Sequence, residues 1–82
     1  MERININTSI KKLIDTYPNI KEIMYNLGFK NIIEPAMLKT VGRFMNIKKG
    51  AKMQKIDLAL IKEKFLESGY ILEDNDEWVY KQ

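Results

Sequence analysis

The chain contains no cysteine and no histidine. That leaves no thiol nucleophile, no disulfide, no imidazole base and no soft metal ligand. Packing alone must hold the fold, which suits a reducing compartment, and a cytosolic protein is expected. Ser9 and Ser68 have no histidine to activate them, so catalysis of the Ser-His-Asp kind is excluded. No apolar run approaches the roughly 18–20 residues of a membrane span. The opening Met1-Glu2-Arg3-Ile4-Asn5 lacks the apolar centre of a signal peptide. Acid is also missing over a long stretch: none occurs between Glu34 and Asp57.

What is present is ordinary for a globular protein. Hydrophobic residues make up 45% of the 82, enough for a core and too many for a disordered chain. A chain of this size buries roughly 60–65% of the surface its unfolded form exposes, so one domain over residues 1–82 with a thin core is expected. Charge is unevenly spread. Residues 1–34 carry five bases and four acids, residues 35–56 six bases and no acid, and residues 57–82 three bases and seven acids. A basic middle and an acidic end can mark an anionic partner, or can neutralise one another in the fold.

Apolar spacing predicts a bundle of about four short helices, mainly all-α, with a short N-terminal strand at Ile4-Asn5-Ile6 and a C-terminal β-hairpin. Thr8 or Asn7 caps a first helix whose face is Ile10, Leu13, Ile14 and Tyr17. Pro18 ends it and opens a second with Ile20, Ile23, Met24 and Leu27, stopped by Gly28. Phe29 to Ile33 reads as a linker. Glu34-Pro35 starts a third helix that buries Met37, Leu38, Val41, Phe44 and Met45, with Gly42 inside it for close packing. Ile47 to Ile56 reads as a basic loop turning at Gly50. Asp57 caps a fourth helix with Leu58, Ile61, Phe65 and Leu66 inward, ended by Gly69. Tyr70-Ile71-Leu72 and Trp78-Val79-Tyr80, around an acidic turn, form the hairpin.

Tyr17-Pro18, Leu27-Gly28-Phe29 and Pro35, followed by Pro-Ala-Met-Leu-Lys-Thr-Val-Gly-Arg-Phe-Met and Lys-Lys-Gly-Ala, resemble a known pattern. It is that of a small bacterial helical domain of unknown function, described as the hybrid-cluster-protein-associated redox disulfide domain. The form with these runs is also found in front of hemerythrin-like and PAS modules. The resemblance covers about residues 4–72, leaving 73–82 as the acidic turn and last hairpin strand. Many members carry Cys-x-x-Cys, where a thiol at a helix N-terminus is acidified by the dipole and free amides. The matching positions here are Asn31 and Glu34. Neither exchanges a thiol, so the resemblance implies a scaffold that has lost its redox pair.

The residues therefore point to binding. The expected surface is Lys39, Gly42, Arg43, Lys48, Lys49, Gly50 and Lys52, with backbone amides at the Gly50 turn forming a nest. The expected function is a non-catalytic interaction module that docks another protein there. The alternative is an anionic small molecule or nucleic acid at the same place. Nucleic acid is the weaker case, because Phe44 is the lone aromatic of the basic stretch and no reader motif is present. Met24, Met37, Met45 and Met53 either fill the core or line an adaptable peptide groove. Asn31 with Glu34 offers too few oxygens for a hard cation, and the Glu73, Asp74, Asp76, Glu77 cluster lacks calcium-loop spacing. No metal or cofactor is expected. Trp78 and Tyr80 cover one end of the bundle or anchor a partner, and an open hairpin edge would allow a homodimer.

Overall fold

Ser9, rather than Thr8 or Asn7, starts the first helix. In the computed structural model, which describes residues 1–74, the Ser9 hydroxyl accepts the Lys12 amide at 3.2 Å. Helix α1 runs Ile10–Thr16 and buries Ile10, Leu13 and Ile14. It stops at Tyr17, ahead of Pro18, whose ring leaves no amide to donate. Pro18 itself stays in the intervening turn, and α2 spans Ile20–Leu27 with Asn19 before it. Gly28 ends α2 at φ +112°, in the left-handed region where a side chain would be strained.

Residues 29–33 are more than a linker. Phe29 and Ile33 are 2% and 4% exposed and belong to the core. Helix α3 then covers only Pro35–Lys39, followed by a 3₁₀ turn at Val41–Arg43. The expected single helix breaks at Thr40, whose ψ of −81° lies outside the helical well. The break undoes the expected buried face: Phe44 is 79% exposed, and Met37 and Val41 are also open, while Leu38 and Met45 are half-buried.

The expected basic loop is a helix. Helix α4 runs Ile47–Gln54 and is capped by Asn46, whose side chain accepts the Lys49 amide at 2.7 Å. Asp57 caps α5, Leu58–Glu67, by accepting the Ala59 amide at 2.9 Å. Ile61 and Phe65 of α5 are buried as expected, whereas Leu66 faces out at 49% exposure.

Two strands complete the fold. β1, Glu2–Asn5, and β2, Tyr70–Glu73, pair in parallel with Glu2 opposite Tyr70 and Ile4 opposite Leu72. Tyr70-Ile71-Leu72 thus joins the N-terminal strand, and the expected second hairpin arm at Trp78-Val79-Tyr80 lies outside the described residues. Ile4, Tyr70 and Leu72 point into the core with Ile6, Ile20, Met24 and Phe65. The architecture is mainly helical, five α-helices against one small parallel sheet among the described residues.

Candidate functional site

Three segments that the sequence separates meet around a shallow apolar cleft of about 190 Å³. The turn after α2 supplies Phe29, Asn31 and Ile32. Met37 of α3, Val41 of the 3₁₀ turn and Met45 form one wall, and Gly50, Met53 and Gln54 of α4 form the other. Positions 50, 53 and 54 stand at i, i+3 and i+4, so one face of α4 is offered to the cleft.

Gly50 allows this close approach. A β-carbon there would stand 2.9 Å from Cε1 of the buried Phe29 ring. Glycine inside a helix costs about 1 kcal/mol relative to alanine, and the seating of Phe29 accounts for its presence. The three methionines are unbranched and polarizable, and such side chains re-pack around different shapes. Met53 is 68% exposed. Met24, by contrast, is fully buried core. The volume fits about one large apolar side chain and falls below the roughly 300–1,000 Å³ usual for small-molecule sites.

The predicted basic residues do not share one neighbourhood. Lys48 reaches Asp74, Nζ to Oδ2 2.8 Å, and Asp74 also accepts from Asn7 at 2.7 Å. The acidic end therefore does meet the basic stretch at this point. Lys49 and Lys52 are exposed on α4, beside the wall that carries Gly50 and Met53. Lys39 and Arg43 border a different concavity, against α1. Gly42 is buried, with the Leu38 side chain where its β-carbon would point. Gly50 forms no turn and no amide nest: its amide donates to the Asn46 carbonyl at 2.9 Å inside α4.

Asn31 and Glu34 lie in one turn, with the Glu34 amide donating to the Asn31 carbonyl at 3.2 Å. Asn31 lines the cleft. Glu34 precedes Pro35 as the α3 cap residue but its side chain makes no capping hydrogen bond. Among the described residues no group of three or more acidic side chains could hold a metal ion, no charged side chain is buried, and no helix is long and apolar enough to cross a membrane. The Tyr17 hydroxyl donates to Glu2 at 3.0 Å, and this bond, with burial and the Glu2 charge behind it, raises its pKa above the ordinary 10.0.

The Met37, Met45 and Met53 cluster was legible as one of two alternatives. The Phe29 and Gly50 contact beneath it was not, because Gly50 read as a turn residue.

The fold has a solved counterpart. The crystal structure of the conserved domain protein from Streptococcus pneumoniae TIGR4 superposes with a TM-score of 0.84 at 29% identity, covering 93% of this chain and 96% of that one. No curated protein gives a significant match. A family described as a domain of unknown function (DUF1858) matches residues 4–62. The matched region holds Tyr17-Pro18, Leu27-Gly28-Phe29 and Pro35, the residues on which the resemblance rests. With its fold and most of its length accounted for in this way, the chain belongs to the DUF1858 family.

Proposed function

We propose that the protein is a non-catalytic interaction module whose methionine-lined cleft takes an apolar anchor from an acidic, amphipathic helical segment of another protein. The observation that carries this reading is the exposure of Met37, Val41 and Met53 around a cleft whose two walls lie on the longest stretch of chain without acid. Exposed apolar side chains of this size, clustered and ringed by charge, are a feature of docking surfaces. Lys49 and Lys52 on α4 and Lys55 just after it supply the cations that an acidic segment would meet at the rim. A partner helix presents anchors at i, i+3, i+4 and i+7, and one of them fills the available volume.

The test is a titration followed by the methionine methyl signals. The probe is an acidic peptide with leucines at helical spacing, run beside its sequence-scrambled form. Saturable shifts at Met37, Met45 and Met53, with Met24 unmoved, are expected. The Met53→Glu variant should bind about tenfold more weakly, a loss of about 1.4 kcal/mol. Equal binding of the scrambled peptide, or silent methyl signals, would overturn the proposal.

A further inference from the structure

Lys39 and Arg43 face a concavity that the docking cleft does not use. Its other side is α1, which contributes Ser9, Lys11, Lys12 and Asp15, and its volume is about 560 Å³. Four cations thus stand around one open hollow with a single acid among them. Asp15 is engaged by Lys11 at 2.5 Å. Lys12, Lys39 and Arg43 have no acidic partner among the described residues.

We infer that this hollow binds a compact polyphosphate group through Lys12, Lys39 and Arg43, with Lys11 at its edge. Three unpaired cations call for a ligand with at least two negative charges. Phosphate oxygens concentrate that charge more tightly than a single carboxylate does. The Arg43 guanidinium offers a planar fork for two oxygens, and the lysines act as point charges. The Ser9 oxygen already accepts the Lys12 amide, so its hydroxyl proton is available to a ligand oxygen. The lining contains no aromatic ring to stack a base, so recognition rests on phosphate alone.

Sequence spacing groups Lys39 and Arg43 with Lys48, Lys49 and Lys52, and carries no sign that α1 lies beside them. Helix α3 and the 3₁₀ turn pack on α1, which sets Lys39 and Arg43 beside Lys11 and Lys12. The site is formed from residues about thirty apart in the chain.

The experiment is a calorimetric and amide-shift titration with inorganic tripolyphosphate at low and high salt. Saturable binding is expected, with shifts confined to Ser9–Asp15 and Lys39–Arg43, and weakening as salt rises. Lys39→Glu with Arg43→Glu should lose about tenfold or more in affinity, whereas Lys49→Glu with Lys52→Glu should stay within about twofold. All four side chains are exposed, and a melting curve on each variant checks that it folds. Arg43→Lys keeps the charge without the fork and should fall between wild type and the double variant. Equal losses in the two double variants would reduce the effect to net charge and overturn the site. So would scattered shifts, or binding of an RNA oligomer where tripolyphosphate fails. The acidic peptide should still bind the Lys39/Arg43 variant, which separates this site from the docking cleft.

Discussion

Two glycines in the basic segment make opposite predictions. At Gly50 an added β-carbon meets the ring of Phe29, which is 2% exposed and has little room to yield. Overpacking of that kind costs about 1–3 kcal/mol, and the helix-propensity gain of about 1 kcal/mol offsets only part of it. Gly50→Ala should therefore lower the melting temperature. At Gly42 the close atom is Leu38 Cδ1, also 2.9 Å away but at the far end of a half-buried, rotatable side chain. Gly42→Ala should change stability by no more than about 0.5 kcal/mol in thermal unfolding. Sequence reading had matched Gly42 to close packing and Gly50 to a turn. Distinguishing them needs the position of Phe29, which no local pattern supplies.

Tyr17 adds a pH dependence at the same scale. Its raised folded-state pKa means that the folded chain keeps the phenolic proton to higher pH than the unfolded chain does. The contribution is fully present below about pH 10 and fades as pH rises through the folded value. Glu2→Ala removes both the hydrogen bond and the charge. It should bring the Tyr17 ring titration, followed by NMR, down towards the ordinary value.

Among the elements, α4 shows what periodicity misses. Ile47, Gly50, Ala51 and Gln54 keep helical spacing, but two of the four are small and one is polar, so the apolar stripe is faint beside the lysines. Asn46 was the available signal, a cap residue directly before Ile47. Asn46→Ala should cost about 1 kcal/mol and speed amide exchange at Lys49 before it does so in α5. Helix ends with strong chemistry were legible: Gly28, Pro35, Asp57 and Gly69 all stand at the boundaries expected of them. The third helix failed for the reverse reason to α4. Met37, Leu38, Val41, Phe44 and Met45 have the right spacing, yet Thr40 interrupts the backbone, and Met37, Val41 and Met45 line the cleft instead of filling a core.

For the molecule as a whole, the strand pair was the least legible feature. A hairpin joins neighbours in sequence, whereas β1 and β2 are linked only through all five helices. Ile4, at 2% exposure opposite Leu72, ties the sheet to the core. Ile4→Ala should cost about 2–4 kcal/mol, and the loss should appear in the helical circular dichroism signal as one cooperative transition with the rest of the domain.

That same pairing sets how the fold answers to mechanical force. Because β1 and β2 run in the same direction, tension applied between Met1 and Asp74 pulls the strands along each other rather than peeling them apart. The load falls on the ladder bonds together with the flanking links, Glu2 N to Gly69 O and Ile6 N to Glu73 O at 3.2 and 2.8 Å, instead of on one bond at a time. A domain this small, without a single disulfide, is thereby geared to resist stretching along its strand pair.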